Sequence, residues 1–251
     1  MTDLRAHAET LRELHGKEML VLPNAWDAVS ATVVVEAGFP VVATASAAIS
    51  AMLGYPDGQG APWQEMFAAA ARIARAVPVP VTVDAEAGYG LPPRELVDRL
   101  LDTGAVGCNL EDTDHQAGGL VDAGAHAEWL ASVRSAADDA GVPIVINARV
   151  DAFLPSSGIA EPDRLAEAMR RGRLYRDAGA DCVYPIGVRH KRDLAALVAD
   201  LACPVNGNTG DELDLATLRD LGVARVSYGP RFYRAAMDDL KTRVRELIQA
   251  T

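Results

Sequence analysis

The chain has 251 residues, 49% hydrophobic and 24% charged, enough apolar material for a large globular core. Its formal net charge of −11 argues against a nucleic-acid partner, which would want a basic face. No apolar run reaches the roughly 18 residues of a membrane span, and the polar N-terminus is no secretory signal, so the expected setting is cytoplasmic with no membrane partner.

The chain opens on an amphipathic stretch, "MTDLRAHAETLRELHGKEML". An internal repeat follows. "EAGFPVVAT", "DTGAVGCNL", "DAGVPIVIN", "DAGADCVYP" and "DLGVARVSY" each place an acid two residues before Gly, and then an apolar strand. Gly38, Gly104, Gly141, Gly179 and Gly222 fit the position just past a helix end, where a left-handed backbone is needed. "MLVLPNA", "VPVTVDA" and "CPVNGN" supply three more strands. Strands are expected near 19–22, 40–44, 80–84, 105–110, 143–148, 181–185, 203–206 and 223–227. Helical patterns fill 26–37, 63–76, 93–103, 125–140, 161–178, 190–201, 212–221 and 231–249. Eight β/α units in about 250 residues is the arithmetic of a (β/α)8 TIM barrel, and no linker divides residues 1–251 into separate domains. A doubly wound sheet is the alternative, but no G-x-G-x-x-G follows the first strand.

In a barrel the active site lies at the C-terminal strand ends. Taken in order, those ends carry Asn24, Trp26 and Asp27; Ser46 in "TASAAIS", with Asp57 in the loop beyond; Asp84 and Glu86; Glu111 and Asp112; Asn147, Arg149 and Asp151; Tyr184; Asn206 and Asn208; and Tyr228. Alternation along a strand lets Asp84 and Glu86 point the same way. Converging carboxylates repel unless they take up protons or share a cation. An all-oxygen donor set suits Mg2+, with Mn2+ possible, and no His or Cys at ligand spacing suggests zinc. The competing reading has these acids capping helices or pairing with Arg149. Arg149 itself reads either as a fork for a substrate carboxylate or as a counter-ion. Asn206 is a further candidate substrate contact. Cys108, Cys182 and Cys203 lie in apolar runs without metal-like spacing and read as small hydrophobes in a reducing compartment.

The segments "LVLPNAWDAVSA", "VVATASAAIS", "GYPDGQG", "VDAEAGYG", "CNLEDT", "INARVDAF", "GADCVYPIG", "CPVNGN" and "VSYGPRFYRAAM" together resemble the isocitrate lyase/phosphoenolpyruvate mutase superfamily. The resemblance runs through nearly the whole chain in order. It implies a Mg2+-dependent TIM barrel that makes or breaks C–C or P–C bonds beside an α-oxo or α-hydroxy carboxylate. It implies a homo-oligomer, tetramer or dimer, with the final helix exchanged between subunits. It implies Asp84 as direct metal ligand, Glu86 and Glu111 holding the metal largely through water, and Asp57 near metal and substrate. Ser46 with the backbone of Ala47 and Ala48 would form the substrate turn, and Arg149 would meet the substrate carboxylate.

The loop after strand 4 departs from the family pattern. Isocitrate and methylisocitrate lyases carry Lys-Lys/Arg-Cys-Gly-His there, and phosphoenolpyruvate mutase carries Lys and Asn. This chain reads "EDTDHQAGGLVDAG". His115 is its one residue with a useful acid/base pKa, and reads either as catalytic acid or as a solvated loop histidine. Three functions follow: a lyase or decarboxylase for a small oxo- or hydroxy-acid, an enzyme of phosphonopyruvate-type P–C chemistry, or a non-catalytic oxo-acid binder.

Overall fold

The computed structural model describes residues 3–249. Short strands alternate with helices along the chain. The strands are β1 (Leu20–Leu22), β2 (Asn24–Ala25), β3 (Val42–Thr44), β4 (Val81–Asp84), β5 (Gly107–Glu111), β6 (Val145–Val150), β7 (Cys182–Pro185), β8 (Asn206–Asn208) and β9 (Arg225–Ser227). The helices are α1 (Leu4–His15), α2 (Ala28–Glu36), α3 (Ser46–Leu53), α4 (Trp63–Ala76), α5 (Pro93–Asp102), α6 (Ala123–Asp139), α7 (Arg164–Asp177), α8 (Lys191–Leu201), α9 (Leu215–Asp220) and α10 (Arg231–Gln249).

All strand pairs are parallel. One run is β2-β3-β4-β5-β6-β7 and the other is β1-β9-β8. β1 and β2 are one chain segment interrupted at Pro23, which has no N–H to give the ladder. A parallel bridge between Val183 and Val205 joins β7 to the approach of β8. The two runs therefore close into a ring with eight strand positions, the expected barrel. The five repeat glycines all adopt the left-handed conformation, with φ between +71° and +97°.

Three features differ from the sequence reading. The N-terminal stretch is a helix whose Ala8 and Leu11 pack on Leu20, Val41, Val106 and Val145, covering the N-terminal end of the barrel. "SAAISAML" is helix α3 rather than an open turn, because small helix-forming residues follow the strand and Gly54 (φ +87°) stops them. The seventh strand position is Asn206–Asn208, not 203–206, so its residues sit about one layer lower than expected. Among the described residues, no helix is long and apolar enough to cross a membrane.

Candidate active site

β4 delivers Asp84 to the barrel mouth. Its N–H donates to Thr44 Oγ1 at 2.9 Å. Its Oδ2 accepts from the Ser46 N–H at 3.0 Å and the Ser46 hydroxyl at 2.7 Å. Ser46 is the first residue of α3, so the carboxylate meets a helix N-terminus, where negative charge is favoured. Its other oxygen, Oδ1, is buried without a hydrogen-bond partner. A buried carboxylate oxygen with no donor is costly, and a bound cation removes that cost.

Glu86 lies beyond the strand, so strand alternation does not bring it beside Asp84. A turn does so, with Glu86 itself at φ +48°, an unusual conformation for a non-glycine residue. Its Oε2 accepts from the Gln59 N–H at 2.6 Å. Burial, then the charges of Asp84, Glu111 and Asp57, push the Glu86 carboxyl up to about 8. Asp57 is exposed on the loop after α3, with Oδ1 3.5 Å from the Ser46 hydroxyl. These acids are close enough to repel, but among the described residues no three His, Cys, Asp or Glu side chains converge as a ready metal cluster. The orphaned Asp84 oxygen and an all-oxygen donor set nevertheless fit a hard divalent cation.

Glu111, at the end of β5, is 2% exposed. Its Oε1 lies 2.5 Å from His115 Nε2 and its Oε2 lies 2.5 Å from Arg149 Nη2. Burial raises its carboxyl, while Arg149 and His115 pull the other way. The bond to Glu111 in turn raises His115. His115 is thus docked at the site rather than solvated. The loop after α3 makes room for it: a Cβ on Gly58 (φ +80°) would lie 3.2 Å from His115 Nδ1.

Arg149, on β6, spends its fork inside the protein. Nε donates to Asp151 Oδ1 and Nη2 to Asp151 Oδ2, both at 2.7 Å. Among the described residues Nε and Nη2 are engaged by Asp151 and Glu111, and only the Nη1 edge has no protein partner. Asp151 is anchored further. Thr113 Oγ1 donates to its Oδ2 at 2.5 Å, and its N–H donates to Asp112 Oδ1 at 2.9 Å. Asp112 also accepts from Arg171 Nη1 at 3.0 Å and the Tyr175 hydroxyl at 2.7 Å.

A cavity of about 200 Å3 at this end is lined by Ser46, Ala47, Asp57, Asp84, Arg149 and Tyr184 among others. Ala48 does not line it: its N–H is bonded to the Ala45 carbonyl at 3.1 Å and the residue is buried. Asn206 does not line it either. Its side chain bonds Gly207, Asn147 and Ser227 within the barrel, a consequence of the later strand boundary. Asn208, a layer higher, instead accepts from the Tyr184 hydroxyl at 2.8 Å. The residue that sequence reasoning missed is Arg234. It sits one turn into α10, lines the cavity, and has no side-chain partner among the described residues. Its signal was its place just after the last strand, at the same end as the acids.

Comparison with known proteins matches residues 11–248 to the family described as phosphoenolpyruvate phosphomutase. An uncharacterized protein of Mycobacterium tuberculosis H37Rv is 33% identical over 91% of this chain and 84% of its own length. An oxaloacetate decarboxylase of Bradyrhizobium sp. BTAi1 is 31% identical over 80% of this chain and 70% of its own. A Burkholderia cenocepacia structure, provisionally described as a phosphonomutase, superposes with TM-score 0.89 at 38% identity, covering 96% of this chain and 99% of that one.

Proposed function

The chain belongs to the phosphoenolpyruvate mutase family of the isocitrate lyase/phosphoenolpyruvate mutase superfamily, a superfamily of C–C lyases and mutases, and we propose that it is a Mg2+-dependent lyase. Its substrate would be a small 2-oxo or 2-hydroxy carboxylic acid, and its reaction C–C cleavage or decarboxylation. The observation that carries this reading is the unpartnered, buried Asp84 Oδ1 beside a cavity with two arginines. The resemblance to oxaloacetate decarboxylase supports it.

Asp84 would hold the cation directly, with Asp57 and Glu86 around it and with Glu111, whose two oxygens already meet His115 and Arg149, acting through water. Such a cation, Mg2+ or Mn2+, supplies Lewis-acid stabilisation of the charge that develops on a 2-oxo oxygen. Arg149 Nη1 and the N–H of Ala47, which has no partner among the described residues, would bind the substrate carboxylate. Arg234 would hold a second acidic group at the mouth. His115, whose hold on a proton the bond to Glu111 strengthens, is the candidate acid in the loop after β5. Purified protein given oxaloacetate should release pyruvate with Mg2+ and stop on EDTA. Inertness toward oxaloacetate and toward a panel of 2-oxo and 2-hydroxy acids would overturn the reading. The likeness to the Burkholderia structure favours one second reading, P–C chemistry on phosphonopyruvate, for which released phosphate is the assay.

We also propose a homo-oligomer that exchanges α10. Phe232, Leu240, Val244 and Leu247 are exposed, and no α10 residue is buried. An apolar groove of about 570 Å3 beside it is lined by Val29, Val33, Phe39 and Phe232. Contiguous exposed apolar surface of this kind marks interfaces. Light scattering should report a dimer or tetramer that Leu240→Glu with Val244→Glu dissociates. The free thiols of Cys108, Cys182 and Cys203 suit the cytoplasm.

A further inference from the structure

We infer that Asp151 is a positioning residue: it fixes the guanidinium of Arg149, and Thr113 fixes Asp151, so the loop after β5 and the orientation of Arg149 behave as one unit. The inference rests on the proposed reading of Arg149 as a substrate contact. It adds two residues whose only route to the substrate is through that arginine.

The geometry is specific. Asp151 is completely buried and both of its oxygens are engaged. Two parallel N–H···O bonds at 2.7 Å fix the plane of the Arg149 guanidinium, which a single contact would leave free to rotate. An ionised carboxylate only accepts, so Thr113 must be the donor in its 2.5 Å contact. The bond from its N–H to Asp112, itself held by Arg171 and Tyr175, fixes the Asp151 backbone, which leaves the Thr113 hydroxyl to fix the orientation of its carboxylate.

Thr113 opens the loop. It pairs with Leu120 across a short antiparallel bridge, and the six residues between them include His115, Gly118 and Gly119. The same loop grips the arginine from its other side, through His115 on Glu111 and Glu111 on Nη2. A shift of Thr113 removes a donor from Asp151 Oδ2, the oxygen that receives Nη2. The Asp151 carboxylate is then free to rotate about its own side-chain bonds and to carry the guanidinium bonded to it toward Glu111, so that the free Nη1 edge leaves the cavity. Misplacement of a reacting or binding group by about 1 Å typically costs on the order of 10²-fold in rate.

Three variants test this in the intact chain. Thr113→Val keeps the shape and deletes the donor, and Thr113→Ser returns it. Asp151→Asn keeps the volume and loses one acceptor. Thr113→Val should lower kcat about tenfold with Tm and Mg2+ affinity near wild type, and Thr113→Ser should restore it. Asp151→Asn should lower kcat roughly 10²-fold. Crystals of Thr113→Val should show the Arg149 guanidinium turned out of its Asp151 plane. Wild-type turnover in Thr113→Val, or an unmoved Arg149 in its crystals, would overturn the inference. Should Asp151→Asn fail to fold, the two Thr113 variants decide alone. A wild-type enzyme inert on every acid would sink the proposed function instead, and the Thr113→Val crystal would still judge the positioning.

Discussion

Two groups of carboxylates sit side by side at the barrel mouth and have opposite fates. Asp112 and Asp151 are saturated: Arg171, Tyr175, Thr113, Arg149 and a backbone N–H take up their oxygens. Among the described residues no lysine or arginine pairs with Asp84 or Glu86, and Asp84 Oδ1 has no hydrogen-bond partner. A buried charge that is fully paired belongs to the scaffold, whereas one left short of partners points to a ligand. The comparison divides acids that composition and spacing treat alike.

The sharpest way to break that division is Asp84→Ala. It should abolish calorimetric Mg2+ binding and cut turnover by at least roughly 10³-fold, a loss of the size seen when a key charge-stabilising group is removed. Retained metal binding would place the cation elsewhere. The converse experiment is Arg171→Met, which leaves Asp112 buried with one fewer counter-charge. Breaking a buried pair from one side costs about 3–5 kcal/mol. Chemical denaturation should therefore show a large loss of stability, with metal affinity of the folded fraction unchanged.

Arg149→Lys probes the seam between the two groups. A lysine keeps the charge but cannot bond Asp151 through two parallel donors while reaching the cavity. The expected result is near-normal Mg2+ affinity, weaker oxalate binding and turnover reduced by roughly 10²–10³-fold. Near-normal turnover would leave Arg149 as a counter-ion only.

The groups should also separate by pH. Burial and its acidic neighbours raise Glu86 to about 8, so in the metal-free protein the folded state keeps a proton that the unfolded chain has lost. Stability from this group is complete below about 4.5 and is lost as pH rises toward 8; saturating Mg2+ should flatten that slope. Near the paired group, His126 packs against Tyr175 with ring centroids 4.9 Å apart. Burial, then Arg171, lowers it to about 4. The unfolded chain binds that proton first, so stability falls as pH drops from about 6.5 toward 4, with or without Mg2+. Thermal melts from pH 4 to 9, with Mg2+ or EDTA, read both slopes. A Mg2+-independent slope on the alkaline side would contradict the assignment of Glu86.

The smallest effect is expected at the thiols. Burial pushes Cys108 up to about 12 and Cys182 higher still, and Cys203 is half-buried away from the cavity. Iodoacetamide under native conditions should leave turnover intact. Rapid inactivation would mean that a thiol takes the acid's part after all.

The sequence by itself determined the barrel, because an acid-x-Gly-strand repeat encodes helix stop and parallel strand locally, unit by unit. It also brought Asp57, Asp84, Glu111, Arg149 and His115 to one end, since each lies at the C-terminal end of a strand or in the segment between that end and the next long helix. It could not determine which atoms remain free. That Arg149 offers only Nη1 depends on Asp151, that the Glu86 carboxylate is anchored depends on the Gln59 N–H, and that Asn206 drops into the barrel depends on where β8 begins. Arg234 was hidden for the same reason: a helix after the last strand carries no mark of how it leans over the mouth. Strand order is written in short-range pattern, whereas the partner of each polar atom is set by segments distant in the chain, and only the closed tertiary structure brings those together.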